Sequence, residues 1–228
     1  AVELQNSDLL SLNWALKVSA RDRAAFERRL GRPILETPAG GTQGPAAVRP
    51  VYFPLALIAP AVAPIHALLG VDVASAAPLR PSLAAARDGG RPVLTQALNL
   101  DAAGLPTAVG LLVAVSAGAP APATRAERRA SLRGFVGGVF RIGHLADSAR
   151  ALLPSGARLQ ILSSGAPVLD TGRGRVSGAA SEAPVGATGW TVRVVLADDP
   201  MATVIPLAAL GAGAVTLLLL LCGLFTQA

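Results

Sequence analysis

Val93-Leu94-Thr95-Gln96-Ala97-Leu98-Asn99-Leu100 and Leu111-Leu112-Val113-Ala114-Val115-Ser116 decide the reading of the fold. Each is a short run rich in Val and Leu, and a loop holding Gly104 and Pro106 joins them, so both read as strands. Upstream, Asp88-Gly89-Gly90 makes a turn. Before it, Ala77 to Arg87 reads as a helix with Pro78 and Pro81 near its start. Ile65 to Leu69 reads as a short helix or turn. Tyr52 to Ile58 reads as a buried strand, broken by Pro60 and Pro64, behind a Gly/Pro/Thr-rich loop from Thr37 to Pro50. Downstream, Ala117 to Pro122 is a small-residue, Pro-rich linker. Thr124 suits the cap of a helix running to about Leu132. Gly134 to Ile142 reads as a strand with glycines, and His144 to Leu153 as a helix ended by Pro154. Leu159 to Ser163, Val168 to Asp170 and Trp190 to Leu196 read as further strands. The order is helix, strand, helix, strands, and then partly the same again. It argues an α+β fold with antiparallel sheets.

The two ends of the chain read differently. Leu9, Leu12 and Leu16 fall at helical spacing, and Phe26 and Leu30 repeat the i, i+4 step, so Ser7 to Leu30 reads as one helix closed by Gly31 and Pro33. Such a helix either packs on its own domain or serves as a stalk that pairs with a second copy. From Thr203 to Phe225 no residue is charged. A bilayer core needs about 20 apolar residues in a helix, so this segment is expected to cross a membrane. Asp198 and Asp199 precede it with no Lys or Arg nearby, which fits an outward-facing flank.

The bulk composition mainly excludes. The 228 residues suffice for one or two compact domains. The net charge is +6, but Lys17 is the only lysine and the arginines are scattered with few aromatics between them. That pattern does not suit nucleic-acid binding. The sole cysteine, Cys222, lies in the apolar C-terminal segment, so the rest of the chain has neither a disulfide nor a thiolate metal site. No metal and no cofactor is expected.

Catalytic side chains do not cluster. His66 and His144 are the only histidines, and each reads as a structural polar group rather than a base. There is no HExxH-type pair, and Ser163-Ser164-Gly165 does not form a nucleophile elbow. Gly172-x-Gly174 reads as a hairpin loop. Arg125, Arg128, Arg129 and Arg133, with Glu127 among them, read as a solvated helix face, with an acidic-ligand site as the other reading. A non-catalytic domain beside one membrane helix suits sensing. A small-molecule pocket needs apolar walls and few polar groups, a mix that Tyr52, Phe53 and Thr95 offer.

The order of motifs resembles the CHASE domain, the extracellular sensor of many histidine kinases and nucleotide cyclases. Phe26-Glu27-Arg28-Arg29-Leu30 is similar to the aromatic-acid-x-Arg end of that family's first helix. Tyr52-x-Pro54 and the strand ending at Pro60 are similar to its first pocket strand. Gly70-x-Asp72 with Ser75, Pro78 and Arg80 is similar to its G-x-D-x-x-S…P-x-R block. Ala84 to Arg91 with Val93-Leu94-Thr95 resembles its A-x-D-x-G…L-T stretch, and Gly110 to Ser116 its G-x-L-x-x-P-V strand, with Val115 in place of Pro. Arg129 to Phe140, ending Gly134-Phe135-Val136-Gly137-Gly138-Val139-Phe140, resembles its closing motif.

The resemblance implies a stalk helix over 1–30 and a membrane-distal, PAS-like ligand-binding subdomain over 31–120. It implies a membrane-proximal PAS-like subdomain over 121–200 and a transmembrane helix over 201–228. Residues 1–200 would be extracytoplasmic, two copies would pair through the stalk, and a kinase or cyclase would follow the membrane helix. The ligand would be a small molecule, with Tyr52, Phe53, Pro60, Asp72, Arg80, Thr95 and Gly138 as candidate contacts. In plant cytokinin receptors of this fold an Asp holds the adenine-like ligand. Pro60 stands at that position, which argues against such a ligand, whereas Thr95 matches a pocket threonine of that group and suits a hydrogen bond, direct or through water. Gly70, Gly134 and Gly138 also fit a purely local role in turns or close packing, and Asp72 and Arg80 a role in fixing a loop. The competing reading is a membrane-anchored structural or interaction domain without a ligand.

Overall fold

Ser11, Asn13 and Ala15 alternate with Leu12, Trp14 and Leu16, and this period of two is what folds: Leu9–Leu16 is a strand, β1. The computed structural model describes residues 9–37, 43–59, 63–98, 107–118, 122–154, 156–163, 165–172, 178–185 and 189–196. After β1 come a two-residue strand, β2 (Val18–Ser19), and a helix, α1 (Arg23–Leu30). Gly31 closes α1 in the left-handed region at φ 75°, its N–H donating to the Glu27 carbonyl. The helix expected from Ser7 to Leu30 is therefore corrected to two strands and a short helix. The reason is tertiary. The leucines alone fit a helical period, but residues 11–16 alternate with a period of two, and the backbone of β1 is claimed by strands on both of its edges.

The chain continues through β3 (Leu35–Glu36), β4 (Gly44–Pro45), β5 (Val51–Tyr52) and β6 (Leu55–Ala59). Two helices follow, α2 (Ala63–His66) and α3 (Arg80–Gly89), the latter opening with Pro81 in its first turn. Then come β7 (Val93–Leu98), β8 (Ala108–Ser116), α4 (Arg125–Ser131) and β9 (Leu132–Arg141). Thr124 caps α4 in a reciprocal capping box with Glu127.

Five strands form one antiparallel sheet in the order β6-β1-β9-β8-β7. Across its middle, Asn13 lies opposite Gly137 and Gly137 opposite Leu112. Helix α3 buries Ser82, Leu83 and Ala86 on one face. There Leu83 and Ala86 join a core with Leu10, Ala15, Leu55, Ile58, Ile65 and Phe135. The outer face carries Leu57, Trp14, Val136 and Val113 in one cross-strand row. Leu57 is 61 % exposed and Val136 40 %. A second cluster of Val18, Phe26, Ile34, Ala46 and Tyr52 holds α1 and the short strands.

Asp88, at the C-terminal end of α3, ties that helix to α4. Arg125 and Arg129 both donate to its carboxylate, as does Arg87, and Arg128 donates to its carbonyl at 2.9 Å. Hydrogen bonds from Arg129 and Arg87, outweighing partial desolvation, hold the Asp88 carboxyl far below the usual carboxylate range.

The described chain divides into two compact units after Arg141. The boundary expected near residue 120 moves to 141 because β9 lies between β1 and β8 at the centre of the first sheet. The second unit opens with α5 (Ile142–Arg150) and has strands β10 (Arg158–Ser163), β11 (Ala166–Asp170), β12 (Ala180–Val185) and β13 (Trp190–Val195). They form an antiparallel sheet in the order β11-β10-β13-β12. Strand β12 was not expected. It contains Pro184 and sits at the sheet edge, where a missing N–H costs least. Ala146, Leu159 and Val194 make the core of this unit. No helix among the described residues is long and apolar enough to cross a membrane, and Thr203 to Phe225 lies outside them.

Candidate functional site

The inner face of the five-stranded sheet is lined by small residues where the strands cross its middle. Ser11, Asn13 and Ala15 of β1, Gly137 of β9 and Gly110 of β8 leave room that larger side chains would fill. The result is a cavity of about 450 Å³, within the roughly 300–1,000 Å³ of small-molecule sites. Leu55, Ile65, Leu68 and Leu83 form walls, and Phe135 and Leu112 complete the floor. Phe53 stands behind Phe135, edge to face at 5.2 Å between ring centres.

The polar groups are few, and among the described residues no charged side chain lines the cavity. Ser11, Asn13, Thr37 and Thr95 contribute them. The Thr95 hydroxyl is already engaged. It donates to the Gln96 carbonyl at 2.7 Å and accepts from the Gly110 N–H at 2.9 Å. That second bond brings the two strands close: a Cβ on Gly110 would lie 2.9 Å from Thr95 Cγ2. Asn13 differs. Its Oδ1 is buried and accepts no hydrogen bond among the described residues.

Of the residues singled out from sequence, Thr95 and Gly138 line the cavity. Tyr52, Phe53, Asp72 and Arg80 do not line it. Tyr52 is fully buried in the second cluster. Its hydroxyl accepts from the Arg49 N–H at 2.8 Å and from Arg23 at 3.2 Å, and donates to the Ala47 carbonyl at 3.1 Å. Asp72, also fully buried, accepts the N–H groups of Phe53 (2.9 Å) and Ala74 (3.0 Å), and Arg49 lies 3.7 Å from its other oxygen. Arg80 donates to the carbonyls of Ala74 and Ser75. Asp72 and Arg80 thus fix the same loop from two sides without pairing with each other. Gly70 stands at φ 84°, where a side chain is strained. Pro60 lies outside the described residues.

Glu27 of the first motif is also structural. Burial raises its pKa, but the Ile34 N–H and the Arg23 guanidinium, both bonded to Oε1, outweigh that and hold it below the usual range. His66 ends α2 and is exposed, and His144 lies in α5. Among the described residues, no three of His, Cys, Asp and Glu come together as a metal site.

Sequence reasoning missed Ser11 and Asn13, and it named Gly110 and Gly137 within motifs but not as candidate contacts. The usable signal was the alternation of small or polar with large apolar residues along β1, which a helical reading of the leucines concealed.

The family model of the CHASE domain matches residues 1–169 of the chain. No curated protein matches the chain.

Proposed function

The chain belongs to the CHASE domain family, whose members are extracellular sensory domains of signalling receptors and not catalytic, and on that premise we propose that the cavity of the first unit is the signal-binding site. The observation that carries this reading is a chamber of about 450 Å³ on the inner face of the five-stranded sheet, lined among the described residues mainly by apolar side chains and by none that is charged. In this reading the two antiparallel sheets are two PAS-like subdomains, and the first is the membrane-distal one. Thr203 to Phe225 crosses the membrane, residues 1–200 are extracytoplasmic, and a histidine kinase or nucleotide cyclase receives the signal. The ligand acts by binding one arrangement of the domain more tightly than another, since only differential affinity moves an equilibrium. The long stalk helix expected to pair two copies has no counterpart among residues 9–22, which form β1, β2 and one 3-10 turn.

The competing reading is an interaction domain that needs no ligand. The exposed row of Leu57, Val136 and Val113 on the outer sheet face favours it. Native mass spectrometry of the protein incubated with small-molecule extract of its host separates the two. The sensor reading expects an added mass on the wild type that is lost in Gly137→Val, which fills the cavity floor. No added mass, or one that survives the substitution, favours the interaction domain.

A further inference from the structure

The arginines of α4 converge on the C-terminal turn of α3, and their charge is not balanced there. Arg125 and Arg129, one helical turn apart, each hold the Asp88 carboxylate with Nε and Nη2, and Arg87 donates to it with Nε. Arg128 donates instead to the backbone carbonyls of Asp88, Pro122 and Ala123. Glu127 is committed to the Ala123 and Thr124 N–H groups. Among the described residues, no other carboxylate reaches these arginines, so four guanidinium groups share two carboxylates. Exposed Arg91 adds a cation at the same turn. A Cβ on Gly89 would lie 3.6 Å from Arg91 Cγ, and one on Gly90 2.9 Å from Arg128 Cδ, so both arginines pack over the two glycines.

The geometry leaves donors facing outward. A guanidinium is a rigid fork, so when Nε and Nη2 point at Asp88 the Nη1 group turns away from it. Neither Nη1 of Arg125 nor that of Arg129 bonds to a described residue. The two side chains remain 64 % and 48 % exposed while held in this way. An unrestrained arginine loses rotamer freedom when it takes an anion, but here Asp88 has already removed that freedom. A carboxylate brings one charge, and Asp88 supplies that without balancing the cluster. A phosphate group carries roughly two negative charges and three strong acceptor oxygens at pH 7, enough to bridge both Nη1 groups.

We propose that the α3–α4 junction is an oxyanion site that binds a phosphate group across Arg125 and Arg129. None of these residues lines the cavity, so the site stands independently of the signal-binding reading.

Isothermal titration calorimetry of the full chain at low salt tests it, with inorganic pyrophosphate as the probe. Saturable binding is expected, weakening as NaCl is raised, with no acetate binding at the same concentration. The double variant Arg125→Lys with Arg129→Lys keeps both charges and can still pair with Asp88, but it lacks the outward edge of the fork. It should bind pyrophosphate roughly tenfold more weakly. Arg21→Gln, which removes an 88 % exposed charge outside the cluster, should bind as the wild type does. Dihexanoyl phosphatidic acid separates two sources of the phosphate. Binding tighter than that of pyrophosphate, and weakened in the lysine variant, assigns the site to a lipid headgroup; weaker binding assigns it to a soluble phosphate. No saturable pyrophosphate or phosphatidic acid binding by the wild type overturns the proposal, and so does acetate bound equally well. Neither result needs a variant to fold. Pyrophosphate binding undiminished in the lysine variant, or lost equally in Arg21→Gln, overturns it as well.

Discussion

The Thr95 hydroxyl joins β7 to β8 through the Gly110 N–H and also bonds the Gln96 carbonyl, while its methyl faces the same glycine. Thr95→Val keeps the shape but strands the Gly110 N–H. Urea unfolding should show a loss of about 1–3 kcal/mol. An effect of that size makes any binding defect of Thr95→Val partly one of fold. Asp72 follows the same logic more strongly. It is fully buried and accepts two backbone N–H groups beside Arg49. Asp72→Ala should cost about 2–4 kcal/mol in the same measurement, without any contact to the cavity being lost. Unchanged stability in that variant would contradict the loop-fixing role.

At the scale of elements, the α3–α4 junction makes a prediction with a definite sign. A carboxylate at the C-terminal end of α3 faces an unfavourable helix dipole, and the guanidinium groups of Arg87, Arg125 and Arg129 offset it. Asp88 has its folded pKa depressed below the unfolded value of about 3.9. Its contribution is therefore present above that pH and lost as the pH falls through the folded pKa. Stability measured from pH 5 down to pH 2 should decline, and Asp88→Asn should flatten the decline while lowering stability at pH 7. A decline of the same slope in the variant would assign it to other carboxylates. Strand β9 makes the second prediction. Gly137 faces Asn13 and Leu112, and a Cβ there would meet Leu112 Cδ2 at 3.3 Å and the Leu111 carbonyl oxygen at 3.8 Å. Gly137→Val should change stability by less than about 1 kcal/mol, since relieving a mid-strand glycine offsets the tight contact, yet reduce binding of a small apolar probe, 2-naphthol, at least tenfold.

The elements also show how far the sequence could be read. Strands β7, β8, β10 and β13 and helices α3 and α4 follow from runs and caps that local chemistry determines. Strand β1 did not, because Leu9, Leu12 and Leu16 fall at helical spacing while residues 11–16 alternate with a period of two, and only the partners on either side decide. The motif residues were legible for a related reason. Tyr52, Asp72, Gly70 and Arg80 are conspicuous because a turn or a buried hydrogen bond demands one residue type. A cavity demands only that residues be small, and Gly110, Gly137 and Ala15 carry no local signature of that.

At the scale of the whole molecule, the division after Arg141 has a consequence for where the chain can be cut. A fragment ending at residue 120 lacks β9, the strand hydrogen-bonded to both β1 and β8. It should show no cooperative thermal transition by circular dichroism, whereas one ending at residue 141 should unfold cooperatively. Cooperative unfolding of the shorter fragment would contradict the central place given to β9.

In the proposed reading, ligand enters the first unit on the inner face of its sheet. Titration of the ¹⁵N-labelled protein with 2-naphthol, followed by amide shifts in NMR spectra, tests this most directly. The predicted result is saturable shifts concentrated at Ser11, Asn13, Gly110 and Gly137, all of which disappear in Gly137→Val. Shifts centred on residues 158–195, or scattered shifts that never saturate, would contradict it.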